Sequence, residues 1–465
     1  MKLTIKNGSV VTPDGVQDID VLCEDGKISA LLDRNVEVEA DEVFDASGQI
    51  VFPGFIDPHV HSRDPGLTEK EDFAHSTLGA LMGGVTTILE MPNAIPPVDS
   101  VEVFRERRAH HESVAWVDFG LWGISIGNQN LDDLGPLIDE GVVAIKIFWG
   151  YALRKDTKQL VYNISDEPVE NLILPPDNGT VLRVFQAVSK AGGLLAAHCE
   201  DRDILAASEA GLGHPIESYQ DLLAARPDVA ESTAITVATE FARETGCRFH
   251  VVHMSSAKGV RAVRDAQFEG IDVTAETCPQ YLSLTDDDYE RIGPMMKVYP
   301  PIRSREDQEA LWEGINDGTI VSVGSDHAPH TVAEKSQGLA TQPAGGVGCE
   351  TFGPVMLDSM FKGHTSVERF AEVMSSSTAK LYGLYPRKGA IRPGSDADLT
   401  IVDPKAVWTV RNDELVAKQP TSAWNGFELT GMPTAVILRG ELAMKDRKSV
   451  GEHRGRFIAA ARVSQ

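Results

Sequence analysis

His59 and His61 stand two residues apart in the stretch VFPGFIDPHVHSRDPG, residues 51–66. On an extended backbone, side chains two apart point to one face. Two imidazoles would therefore project together from a strand end and make half of a transition-metal site. Four more residues of suitable type sit in or after other apolar runs: Lys146 within AIKIF, His198 after LLAA, His253 after FHVV and Asp326 after VSVGS. Imidazole and carboxylate suit borderline divalent ions such as zinc. Two such ions about 3.5–4 Å apart can share a hydroxide and sharpen its nucleophilicity. A neutral lysine amine can add carbon dioxide to give a carbamate, a carboxylate-like group able to bridge them. Singly, each residue has a plainer reading: a hydrogen-bonded core histidine, a lysine whose stem runs along apolar surface, an aspartate capping the next helix. Six of them at the same end of successive units read better jointly, as a metal site.

The elements that must position them form a repeated βα plan. Apolar strand-like runs begin at Val51 and recur at 85–91, 117–121, 142–148, 194–198, 248–253, 272–276 and 320–324. Helix-like segments at 100–111, 180–191, 229–245 and 257–270 alternate with them. Continuous apolar strands separated by helices imply a parallel sheet covered by helices. Eight of them predict a TIM-type (β/α)8 barrel, whose chemistry sits at the C-terminal ends of the strands. Before it, runs at 3–11, 18–23, 28–32 and 42–45 are broken by Asn7-Gly8, Asp14-Gly15 and Asp25-Gly26, which predicts a small antiparallel sheet. After Tyr385, β texture returns at 398–403, 407–410 and 434–439. The division expected is 1–50 and 385–465 as one small, sandwich-like β-domain built from both termini, flanking a barrel of 51–384. Two long insertions follow strand ends: 153–176, expected as a loop with a short hairpin, and the glycine-rich 331–348, expected to be mobile.

Composition narrows the partners. The chain has 465 residues, 42% hydrophobic and 24% charged, with a net charge of −26. Such an acidic balance argues against nucleic acid and anionic membrane surfaces. No apolar run reaches the roughly 18 residues of a membrane span, and MKLTIKNGSVV lacks the plan of a signal peptide. Five scattered cysteines without a CxxC read as reduced thiols of a cytoplasmic protein.

The motifs GFIDPHVHSRDPG, AIKIFWGY, AAHCED, VVHMSSAKGV, ETCPQYL, KVYPPIR and GSDHAPH, in this order, resemble the cyclic-amidohydrolase branch of the amidohydrolase superfamily: dihydroorotases, allantoinases, and hydantoinases or dihydropyrimidinases. With GSDADLTIVD the likeness covers nearly the whole chain. It implies two divalent ions, usually zinc. His59, His61, Lys146 and Asp326 would bind the more buried one, and Lys146, His198 and His253 the other, with a carbamylated Lys146 as the bridge. It implies opening of a cyclic amide C–N bond by a hydroxide shared between the ions. Asp326 would be the general base, carrying the proton to the leaving nitrogen. The exposed ion would polarise the carbonyl.

Subfamilies part at substrate-side residues. Arg63, Asn93 and His330 match dihydroorotase positions, and an arginine fork pairs a carboxylate well. Tyr151 matches a hydantoinase and dihydropyrimidinase tyrosine that stabilises the oxyanion. Gln280-Tyr281 replaces a histidine pair often seen in dihydroorotases, and PGLTEKEDF is similar to allantoinases. The expected activity is dihydroorotase-like. The alternatives are a hydantoinase, dihydropyrimidinase or allantoinase, a one-metal enzyme of the deaminase kind, or a non-catalytic scaffold of the same fold. The resemblance also implies a homodimer or homotetramer.

Overall fold

In the computed structural model, which describes residues 1–161 and 167–461, the eight runs become barrel strands. They are β1 (Phe55–Val60), β2 (Val85–Glu90), β3 (Asp118–Leu121, resuming as Gly123–Ile124), β4 (Ile145–Phe148), β5 (Leu194–His198), β6 (Arg248–Val251), β7 (Val273–Thr277) and β8 (Ile320–Val323). Each pairs in parallel with the next. The ring closes where Val60 bridges His327, and His61 N–H donates to His327 C=O at 2.7 Å. This is a TIM-type barrel with a sheet-rich flanking domain. Every residue of β1, β2 and β5 is buried, as strands covered on both faces must be.

Helices start where polar side chains cap them. Asp72, Ser100, Asp177, Ser256 and Ser304 each accept a hydrogen bond from a backbone N–H of the first turn, meeting donors a helix cannot satisfy itself. The 18-residue helix Asp228–Thr245 packs on the barrel through Ala230, Ala234, Ile235, Ala238 and Ala242, one stripe at helical spacing.

The flanking domain departs from the sequence expectation in three ways. The N-terminal sheet is mixed: Lys2–Lys6 runs antiparallel to Ile19–Glu24 but parallel to Glu42–Asp45. The runs at 398–403 and 407–410 form one strand, Leu399–Thr409, broken only by bulges. The apolar run at 51–56 is shared between two sheets. Ile50–Pro53 pairs with Ser9–Thr12 and Leu399–Thr409 in a seven-stranded sheet, and the barrel strand begins only at Phe55. Leu3, Ile5, Val21, Val51, Leu399, Ile401 and Ile437 fill the core between the two flanking sheets. Gly54 is the joint between strands, and a Cβ there would lie 2.2 Å from Thr86 Oγ1.

Of the insertion at 153–176, the described part holds a three-stranded sheet of Ala152–Arg154, Leu160–Val161 and Leu172–Ile173. The part of the expected hairpin at 162–166 lies outside the described residues. The segment 331–348, expected to be mobile, is fastened by side chains. Lys335 Nζ donates to Pro343 C=O at 3.2 Å, Lys297 Nζ to Leu339 C=O at 2.7 Å, and Gln342 Nε2 to Pro294 C=O at 2.5 Å. No helix among the described residues is long and apolar enough to cross a membrane.

Candidate metal centre

The strand period explains how the six residues meet. On β4, Ile145 and Ile147 face away from Lys146, which points to the barrel interior and is fully buried. His59 lies in β1, His198 ends β5, His253 follows β6 by two residues and Asp326 follows β8 by three. All six line one cavity, together with Arg63, Tyr151 and Tyr299. Asp326 Oδ1 lies 3.4 Å from His59 Nε2 and 3.5 Å from His61 Nε2. Beside them, His198 Nδ1 faces His253 Nε2 at 3.0 Å. The rings of His59 and His253 are 5.3 Å apart, linking the two groups.

The backbone is bent to reach this arrangement. Arg63, His253 and Asp326 take φ of 66°, 40° and 49°. Left-handed φ is uncommon for residues with a Cβ and gathers at functional sites. Gly324 lets β8 approach β1, because a Cβ there would stand 2.7 Å from the Cβ of His59.

Three of the four rings have their remaining nitrogen held from behind, while His253 Nδ1 is buried without a hydrogen-bond partner. His59 Nδ1 meets Glu276 Oε1 at 2.5 Å, His61 Nδ1 meets Asn93 Oδ1 at 2.6 Å, and His198 Nε2 meets Glu200 Oε2 at 2.7 Å. An acceptor behind a ring fixes its tautomer and turns the opposite lone pair toward a ligand. Glu276 is also 3.5 Å from His250 Nε2 and accepts from Tyr382 Oη at 3.4 Å. Glu200 is paired with the guanidinium of Arg226.

Electrostatics agree. Burial draws His61 down to about 4, and burial with the neighbouring His198 draws His253 well below the usual histidine value. Both rings are therefore neutral and free to use lone pairs. Burial opposes charge on Asp326, but His59 and His61 outweigh it and hold the carboxylate below its ordinary pKa. Burial pulls Lys146 down to about 8, against the opposing pull of Glu276 and Asp326. Its Nζ has no hydrogen-bond partner, and neither has His59 Nε2. A buried ammonium without a partner is costly, and the lowered pKa raises the fraction of neutral amine, the form that can add carbon dioxide.

These residues fit a pair of divalent ions. The ligand atoms of His59, His61 and Asp326 all lie within 4.8 Å of one another, the two facing nitrogens of His198 and His253 form a second group, and the unpartnered Lys146 Nζ opens onto the same cavity. Of the substrate-side candidates, Arg63 and Tyr151 line that cavity and Asn93 and His330 do not. Asn93 braces His61. His330 Nε2 lies 3.3 Å from Arg63 Nη2, and Arg63 Nε donates to Pro329 C=O at 3.1 Å. Sequence reasoning passed over Glu276, Glu200, Arg226 and Tyr299. The available signal was a carboxylate inside a buried strand, as in VTAET, since buried carboxylates are rare without partners.

The family model described as "Amidohydrolase family" matches residues 50–443. The chain is 36% identical over 464 residues to an allantoinase of Rubrobacter xylanophilus, covering 99% of this chain and 98% of that one. It is 32% identical over 454 residues to a dihydroorotase of Staphylococcus epidermidis, covering 96% and 100%. Its fold is similar to that of the L-hydantoinase (dihydropyrimidinase) from Arthrobacter aurescens, with a TM-score of 0.91, 34% identity, and 98% and 99% of the chains covered.

Proposed function

The chain belongs to the amidohydrolase family and is a hydrolase of its cyclic-amide-opening kind, and from that premise we propose that it opens a cyclic ureide of the hydantoin or allantoin type. The observation that carries the reading is the convergence of five ligand-type residues around a buried lysine whose amine has no hydrogen-bond partner.

His59, His61 and Asp326 would hold one divalent ion, His198 and His253 the other, both zinc, with Lys146 as a carbamate between them. Bound there, the ions supply Lewis acidity, which polarises a carbonyl and makes water nucleophilic at neutral pH. Asp326, ionised at neutral pH, takes the proton from the attacking water and returns it to the ring nitrogen as the C–N bond breaks. Tyr151 donates its hydroxyl to the carbonyl oxygen as that oxygen gains charge. The ring opens to a carboxylic acid that keeps the former ring nitrogen as a terminal ureido NH2.

Tyr151 favours the ureide ring, because its side chain lines the cavity. Asn93 and His330, two of the three dihydroorotase-like positions, are engaged with His61 and Arg63. Arg63 does line the cavity, and it favours the second reading: dihydroorotate, whose carboxylate a guanidinium would pair. The hydrolase unit in this reading is the 51–384 unit shortened to begin at Phe55, because Ile50–Pro53 pairs in the flanking sheet, with 1–53 and 385–465 as the flank. Five buried thiols without a disulfide fit a reducing, cytoplasmic compartment, and a homodimer or homotetramer is expected by light scattering.

Purified zinc-replete protein is assayed on hydantoin, allantoin, dihydrouracil and dihydroorotate. The ureides are expected to be opened fastest. Preference for dihydroorotate would move the assignment to the second reading, and turnover of none of the four rings would refute ring opening.

A further inference from the structure

Arg226 is a buried cation behind the wall of the cavity. It lies at the end of the helix Tyr219–Ala225, and Arg303 Nη1 holds its carbonyl at 3.0 Å. Its guanidinium is fixed on three sides. Nε donates to Glu200 Oε1 at 3.2 Å and Nη2 pairs with Glu200 Oε2. The guanidinium carbon lies over the ring of Tyr299, 3.7 Å from the centroid. Nη2 also donates to the hydroxyl oxygen of Tyr151 at 2.9 Å. That oxygen also lies 3.0 Å from His198 Nε2, which is itself 2.7 Å from Glu200.

We propose that Arg226 is a positioning residue for Tyr151: it fixes the direction of the phenol and strengthens it as a hydrogen-bond donor toward the developing oxyanion. The inference rests on the role given to Tyr151 above. A charge-assisted bond accepted by a hydroxyl oxygen draws electron density from it, so the hydroxyl's own proton is given more strongly. The guanidinium suits this work because its planar fork spans Glu200 and Tyr151 at once while its carbon lies over the ring of Tyr299. A lysine would keep the charge beside Glu200 but offers one nitrogen for both partners.

The plainer alternative is that Arg226 serves only to neutralise Glu200, and a double-mutant cycle separates the two. Arg226→Lys and Tyr151→Phe are made singly and together, each checked for metal content and melting temperature. Activity is read on the fastest-opened of hydantoin, allantoin, dihydrouracil and dihydroorotate. Loss of an oxyanion donor lowers kcat on the order of 100-fold, and Arg226→Lys should lose about 10-fold with KM changed less than about 2-fold. In the Tyr151→Phe background the same substitution should change kcat by less than about 2-fold, because the path through the hydroxyl is gone. An equal loss in both backgrounds, or full kcat in Arg226→Lys while Tyr151→Phe is impaired, overturns the inference and leaves the tyrosine reading standing. Full kcat in Tyr151→Phe overturns the tyrosine reading and the inference with it. Should the lysine variant not fold, Arg226→Gln with Glu200→Gln removes both buried charges, and its coupling to Tyr151→Phe carries the same predicted sign.

Discussion

Lys146 and Glu276 bear the most direct tests of the site chemistry. Lys146→Ala removes the bridging group and should lower activity and metal content by about 100-fold or more, beyond the 10–100-fold that loss of an outer partner costs. Short carboxylic acids should partly restore both by standing in for the carbamate. Unchanged activity in that variant would rule the bridge out. Glu276→Gln keeps the size of the side chain but weakens the acceptor behind His59. Metal affinity is expected to fall about 10–100-fold, measured by competition with a chelator, with the melting temperature little changed. An affinity equal to the parent protein's would mean that Glu276 serves packing alone.

The joint between β8 and β1 can be tested through a single methyl group. Gly324→Ala places a carbon 2.7 Å from the rigid Cβ of His59, so one strand must shift. A loss of about 1–3 kcal/mol is expected from such overpacking, together with lower metal content, read by denaturant unfolding and metal analysis. Elements of this kind were only partly legible in the sequence. The barrel strands were, because runs such as 85–91 and 194–198 are continuously apolar and alternate with helical spacing. The first one was misplaced, since Val51–Phe52 and Phe55–Ile56 are equally apolar and equally buried although they pair in different sheets. The ligands were legible because histidine and lysine stand out at strand ends. Glu200, Arg226 and Glu276 were not, because what marks them is a three-dimensional partner: Arg226 meets Tyr151 across 75 residues. The left-handed backbone at His253 and Asp326 likewise has no glycine to announce it.

The barrel and its flanking domain are joined by a buried ion cluster. Lys388 Nζ reaches Asp118 Oδ2 on β3 at 2.5 Å, and Asp398 and Asp396 at 2.5 and 3.0 Å. Arg439 adds a second cation on Asp118. Lys388→Met should cost about 3–5 kcal/mol, because three carboxylates lose their buried partner, and the denaturant midpoint reports it. Burial opposes charge on Asp396, but Lys388, Lys27 and Arg387 outweigh it and hold its pKa at about 2, below the ordinary 3.8. A depressed carboxylate stabilises the fold above its unfolded pKa, and that stability is lost as pH falls through the folded one. The melting temperature should therefore drop between about pH 4 and pH 2, and less steeply in Lys388→Met. An equal slope in both proteins would place the acid sensitivity elsewhere. The question on which the whole reading turns is whether the mouth of the barrel holds ions. Metal analysis of purified zinc-replete protein, with anomalous diffraction to place the ions, answers it directly: the prediction is two divalent ions per chain, one by His59, His61 and Asp326 and one by His198 and His253, with Lys146 between. No bound metal, or ions placed away from these side chains, would contradict it.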